Sequence, residues 1–82
     1  MKPRTLTIEG TVYTCTAPTG RDWLEVSELN DAARSMEIVA RCVQVDGQKA
    51  FIDGADVESQ PMALILALDE QLGAMCAYPS DP

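Results

Sequence analysis

The segment TCTAPTGRDWLEV, at residues 14–26, changes from a strand-like to a helix-like pattern, and this change constrains the fold more than any other sequence feature. Before it, Thr side chains alternate with apolar and aromatic ones, which is typical of a half-buried β-ribbon. After Pro18, which ends the ribbon, Thr19 and Asp22 have the spacing of a helix capping box. The chain is therefore predicted to be an α+β domain that begins with a β-hairpin.

The hairpin is predicted over residues 5–16, with Leu6 and Ile8 on one face. An isolated two-stranded hairpin is only marginally stable, so this one must pack against other elements. Gly10 marks its turn. A type I turn followed by a bulge, with Gly10 in the left-handed region, is favoured over a primed two-residue turn because Glu9 tolerates positive φ poorly.

Three helices are predicted to follow the hairpin and to pack against it in one small domain. Asn30 is the expected N-cap of the second helix, and Asp56 or Ser59 is expected to introduce the third. Pro61 suits the first turn of the third helix, and Pro79 is expected to end that helix. The predicted helices cover about residues 20–29, 31–43 and 60–77.

The segment between the second and third predicted helices contains two glycine turns. Residues 45–48, with the sequence VDGQ, form the first turn, and residues 53–54 form the second. Between them, residues 49–52 are either a short strand or an extended arm.

Length, charge and hydropathy narrow the classes of function. With 82 residues the chain is expected to form one domain. Its net charge of −7 repels phosphate backbones, so basic protein partners are expected and nucleic acid is not. The longest apolar run, residues 62–68, is far shorter than the roughly 20 residues that span a bilayer, so no membrane segment is predicted.

The residues that common enzyme chemistry requires are missing. The chain has no His, which excludes Ser–His–Asp and Cys–His nucleophile activation and most catalytic zinc sites. Its three Cys are far apart and lack CxxC spacing, which favours reduced thiols in a cytoplasmic protein. No enzymatic activity, cofactor or metal is therefore predicted.

Two short segments have some features of ligand sites. Residues 19–21, Thr-Gly-Arg, could hold an anion at a helix N-terminus, but Asp22 would repel it. Asp53, Asp56 and Glu58 flank a glycine turn without matching the spacing of a calcium-binding loop. Both segments are expected to be turns and helix caps.

The stretch GADVESQPMALILALDEQLG, at residues 54–73, resembles the prosthetic-group region of acyl carrier proteins, which are also small and acidic. In that family the serine directly after the Asp carries phosphopantetheine. Here Val57 holds that position, and Ser59 comes two residues too late. An acyl or peptidyl carrier, or a generic protein-interaction adaptor, is kept as the alternative function.

The second and third predicted helices carry apolar residues around much of their circumference, and some of this surface is expected to meet another chain. Leucines and Ile65 surround the third helix on nearly every side. Whether the other chain is a second copy is left open. The predicted partner-binding residues are Met36, Val39, Val43, Leu64, Ile65, Leu68 and Leu72.

From Leu6 to about Leu72, the order of elements resembles that of small phage tail assembly chaperones. The resemblance is carried by the hairpin that leads into PTGRD, residues 18–22, and by a helix, a VDG turn and a Leu-rich helix in that order. Residues 48–53 depart from the family pattern, in which a more polar loop leads into the last helix.

The resemblance implies a non-enzymatic function. Such chaperones act in the cytoplasm of the infected host, bind the tape measure protein and bring tail tube subunits to it, and they are absent from the mature virion. The expected partners are therefore the tape measure protein and the tail tube protein. An apolar helix face on a strongly negative domain suits the binding of helical, basic segments.

Overall fold

A computed structural model describes residues 2–76, which form four strands and four helices. The strands are β1 (Arg4–Ile8), β2 (Thr11–Cys15), β3 (Val43–Val45) and β4 (Gln48–Lys49). The helices are α1 (Gly20–Val26), α2 (Asp31–Cys42), α3 (Gly54–Glu58) and α4 (Met62–Cys76). The predicted α+β class with an N-terminal hairpin is confirmed. The expected helix end at residue 77 and its terminator Pro79 lie outside the described residues.

The strands form one antiparallel sheet in the order β1-β2-β3-β4. It consists of two hairpins joined where Cys15 of β2 pairs with Val43 of β3. The N–H of Thr16 extends this junction by donating to the Cys42 carbonyl at 2.9 Å. The junction fixes the end of α2 beside the N-terminal hairpin.

The turn predicted between β1 and β2 is wrong in type. Ile8 pairs with Thr11, so the loop has two residues, and both Glu9 (φ 49°) and Gly10 (φ 82°) lie in the left-handed region. Positive φ at both loop residues is typical of a type I′ turn. The twist of this turn matches the twist of the flanking strands, and this match outweighs the steric cost of positive φ at exposed Glu9. The predicted turn at residues 45–48 is confirmed, with Asp46 and Gly47 also at positive φ.

The second helix ends one residue earlier than predicted, because Val43 belongs to the sheet. Its backbone is extended, with φ −115° and ψ 131°. The Val43 carbonyl accepts from the N–H of Ala50 at 3.1 Å. A β-branched residue suits a pleated strand. Sequence reasoning missed β3 and placed β4 only as part of a possible short strand.

The third predicted helix forms as α4, and the chain before it contains a separate helix that was not predicted. Asp53 caps this short helix, α3, by accepting from the N–H of Asp56 at 3.0 Å. Asp56 therefore lies inside α3 and Ser59 directly follows it, and neither introduces α4. The carbonyl of Pro61 accepts from the N–H of Ile65 at 3.2 Å and so begins α4.

The core lies between the sheet, α2 and α4. The ring of Phe51 stacks on that of Tyr13 at a centroid distance of 6.5 Å, which ties the segment after β4 to the N-terminal hairpin. Leu6 and Ile8 also pack on the core, as their shared face predicted. Within residues 2–76, no helix is both long and apolar enough to cross a membrane. The buried core comprises Cys15, Val39, Ala40, Cys42, Val43, Phe51, Val57, Ile65, Leu68, Leu72 and Met75.

Candidate partner-binding groove

The predicted partner-binding residues divide into core and half-buried positions. Five of them are buried in the interior of the domain, and four of these offer no surface to a partner in this fold, which corrects their assignment to a contact surface; the fifth, Leu72, forms part of the floor of a surface groove. These five are Val39, Val43, Ile65, Leu68 and Leu72. Met36 and Leu64 are half-buried at the margin of the core. An accessible apolar surface must therefore lie elsewhere.

A groove of about 400 Å³ lies between α1, α2 and α4. Its volume is within the range of natural ligand pockets, and most of its lining is apolar. The lining residues are Pro18, Thr19, Gly20, Trp23, Arg34, Ser35, Ile38, Asp69, Leu72, Gly73 and Cys76.

One wall of the groove is α1, which a capping box holds in place. The N–H of Thr19 donates to Asp22 Oδ2 at 2.9 Å, and the N–H of Asp22 donates to Thr19 Oγ1 at 3.3 Å. This reciprocal pair confirms the predicted cap. The Asp22 carboxylate accepts the Thr19 N–H, the Thr19 hydroxyl accepts the Asp22 N–H, and the carboxylate repels an anion, so residues 19–21 are the start of a capped helix.

The capped helix presents Trp23 to the groove. Its side chain is 54% exposed, although a Trp is usually well buried. The Arg34 guanidinium lies over the indole ring, with Cζ at 4.7 Å from the centroid, so the two form a cation–π pair. The structure therefore places Trp23 at the surface rather than in the core.

Arg34 is held by contacts that leave little of its charge available to a ligand. Its Nη2 donates to the carbonyls of Leu29 at 2.9 Å and Ser27 at 3.3 Å, which fixes the connection between α1 and α2. Its Nη1 lies 3.4 Å from Asp31. The confirmed N-cap Asn30, which accepts from the N–H of Ala33 at 2.9 Å, fixes the same corner.

A second arginine joins α1 to α2 behind the groove. The Arg41 guanidinium donates to Glu25 and lies 3.6 Å from Asp22 and 3.8 Å from Glu37. The Thr19 backbone N–H, aided by Arg41, lowers the pKa of Asp22 below its ordinary value of 3.8. Glu37 in turn accepts from the N–H of Gly54 at 3.0 Å, so this cluster also fixes the start of α3.

The floor and far wall of the groove come from α2 and α4. Ile38 is half-buried and Leu72 is buried, so they form an apolar floor. A Cβ at Gly73 would have no atom within 4 Å, which shows that the groove is open there. Exposed Cys76 lies at one end. Asp69 is exposed and makes no ion pair among the described residues, so the free charge of the groove is negative.

The residues that suggested calcium or a carrier site have structural contacts. Asp53 caps α3, and Asp56 Oδ2 accepts from the N–H of Ile52 at 2.9 Å. Among residues 2–76, no group of His, Cys, Asp or Glu side chains has an arrangement that could hold a metal ion. Val57, which takes the place of the carrier serine, is fully buried.

Comparison with protein-family models, curated proteins and solved structures found no match for this chain.

Proposed function

We propose that this protein is a phage tail assembly chaperone, which binds helical segments of the tape measure protein and helps to recruit tail tube subunits without catalysing a reaction. The observation that carries the proposal is the groove between α1, α2 and α4, an apolar concavity at the surface of an acidic domain. A helix-binding protein needs such a surface, since an amphipathic helix docks by inserting its apolar side chains into a groove.

The charge of the domain supports the same proposal. A net charge of −7 speeds encounter with basic segments and keeps the complex soluble. Asp69, which has no ion-pair partner within residues 2–76, places a carboxylate beside the apolar floor. The proposed place of action is the cytoplasm of the infected host, and the finished tail is proposed to lack the protein.

The test is co-purification with tape measure fragments encoded beside this chain in the same phage genome. Wild-type protein is expected to retain a helical fragment, and Gly73→Leu is expected to release it because the new side chain fills the groove. Ala32→Leu is the matched control, since it adds the same side chain at an exposed helical position outside the groove.

The adaptor is tested by the same co-purification, and the carrier by a separate mass measurement. A generic adaptor would retain a cellular protein and no tape measure fragment. A carrier would gain the mass of phosphopantetheine after co-expression with a phosphopantetheinyl transferase. Either result would overturn the chaperone proposal.

A further inference from the structure

Helix α4 has a second stripe, which is exposed and does not face the core, and which combines apolar residues with one central carboxylate. Five exposed residues recur along the helix at intervals of four, three, four and three, the spacing of a coiled-coil seam. Met62 is 61% and Leu66 is 55% exposed, so the part of the chain that the structure describes leaves these residues uncovered. The exposed stripe consists of Met62, Leu66, Asp69, Gly73 and Cys76.

The exposed stripe runs directly into the groove. Asp69, Gly73 and Cys76 belong to both, whereas Met62 and Leu66 extend the apolar surface toward the start of α4. From Met62 to Cys76 the stripe is about 21 Å long, at 1.5 Å per residue. A partner helix of about four turns would cover it, and Trp23 would flank that helix at the groove end.

The position of Asp69 selects the kind of helix that fits. Asp69 is the middle residue of the stripe, so pairing α4 with α4 of a second copy would place the two Asp69 carboxylates opposite each other in either direction. Two domains of net charge −7 would add to this repulsion. A partner with Lys or Arg at the matching seam position forms an ion pair instead.

We propose that the exposed stripe and the groove together bind one helix of another protein, with leucine-like residues along its seam and a Lys or Arg opposite Asp69. The inference rests on the proposed function, because it specifies the segment that the chaperone would recognise. Gly73 lets the partner backbone approach closely, since no side chain intervenes. The stripe supplies the contact area, and Asp69 selects helices with a basic residue at the position opposite it.

Two synthetic helical peptides of about 16 residues test the inference. Both carry Leu at the seam positions and lack Trp and Cys, and they differ only in having Lys or Glu at the central seam position. Binding is measured by the emission of Trp23, the only Trp of the chain, and by protection of Cys76 from alkylation. The Lys peptide is expected to bind on the order of tenfold more tightly, since one attractive pair replaces one repulsive pair.

Variants that reverse or remove the charge of Asp69 test whether this residue determines the preference between the two peptides. Asp69→Lys is expected to favour the Glu peptide, and Asp69→Asn is expected to bind the two peptides almost equally. Circular dichroism and thermal melting confirm that each variant is folded, as the exposure of Asp69 leads us to expect. Equal affinities of the wild type for both peptides, or a preference unchanged in Asp69→Lys, would overturn the inference.

Two further outcomes separate this inference from the proposed function. If tape measure fragments bind but Asp69→Lys leaves their affinity unchanged, the chaperone proposal stands and the charge-selective seam is wrong. If the wild type prefers the Lys peptide and Asp69→Lys prefers the Glu peptide, but no tape measure fragment binds, the charge-selective stripe is correct and the chaperone proposal is wrong. A homodimer in sedimentation equilibrium that Gly73→Leu abolishes would show a second copy as the occupant and overturn the inference.

Discussion

At the scale of single residues, Gly54 shows how one close approach fixes the start of α3. A Cβ at this position would lie 2.7 Å from Glu37 Oε2 and 3.3 Å from the Glu37 backbone N. Gly54 also donates its N–H to Glu37 Oε2. The absence of a side chain therefore allows the contact that holds α3 against α2.

We expect Gly54→Ala to lower the free energy of unfolding by about 1–2 kcal/mol, since Glu37 must move and its hydrogen bond weakens. Urea denaturation measures the change. Gly20→Ala is the control, because a Cβ at Gly20 has no atom within 4 Å and Ala favours the helix. Equal stability of the two variants would contradict the account of Gly54.

The three cysteines differ in environment in a way that the sequence did not reveal. Burial raises the pKa of Cys15, and it raises the pKa of Cys42 to about 11, whereas Cys76 is exposed in the groove. Only the thiolate reacts with a disulfide reagent. At pH 8 the native protein is therefore expected to react rapidly at Cys76 alone, and all three thiols should react in denaturant. Rapid native labelling of Cys42, located by peptide mass mapping, would contradict this burial.

At the scale of elements, features that depend on neighbouring residues could be predicted from the sequence, and features that depend on distant residues could not. The caps at Thr19 and Asn30 were predicted because each depends on residues three positions apart. Strand β3 was missed because its partner strand β2 lies far away in sequence and only two residue pairs join the two strands. The Glu9 turn was misassigned because strand twist, a property of two elements, overrode the preference of one residue.

The capping box of α1 predicts a dependence of stability on pH. Because the pKa of Asp22 is lower in the folded state than its ordinary 3.8, its ionised form stabilises the fold. This contribution is complete above the unfolded-state pKa and is lost as the pH falls below about 4 through the folded value. In Asp22→Asn, the free energy of unfolding is expected to decrease less below pH 4 than in the wild type. Urea denaturation at several pH values measures this difference. If stability in Asp22→Asn depends on pH as it does in the wild type, Asp22 is not the cause of that dependence.

The same box gives a prediction at neutral pH. Thr19→Ala removes the side-chain acceptor of the Asp22 N–H and is expected to cost about 1 kcal/mol of stability. Thermal melting measures the loss. Thr16→Ala, at an exposed position outside the cap, is the comparison and should melt close to the wild type.

At the scale of the whole molecule, the sequence predicted that α2 and α4 carry more apolar residues than a small core needs, but not which side faces inward. Helix α4 has leucines nearly all round, so its periodicity does not distinguish the two sides. Tertiary packing decides the matter, because α2 and β2 pack on the stripe of α4 that contains Leu68 and leave the stripe that contains Leu66 exposed. The predicted contact residues were therefore mostly core residues, and Trp23 was missed.

Substitution of two leucines of α4 tests which side of this helix is buried and which is exposed. Leu68 is fully buried and Leu66 is 55% exposed. Leu68→Asn leaves an unsatisfied amide and a cavity in the core, at a cost of about 4 kcal/mol or more. A domain of this size has a total stability on the order of 4–12 kcal/mol. Leu68→Asn is therefore expected to be largely unfolded or to melt far below the wild type, by circular dichroism.

Leu66→Asn keeps the net charge and is expected to melt within a few degrees of the wild type, because its side chain adds little to the core. It removes apolar contact from the exposed stripe, so the affinity for the Lys-containing helical peptide is expected to fall several-fold. A folded Leu68→Asn, or a Leu66→Asn that unfolds, would show that α4 is rotated relative to the sheet. In that case the exposed stripe would be the core, and the groove would not exist as described.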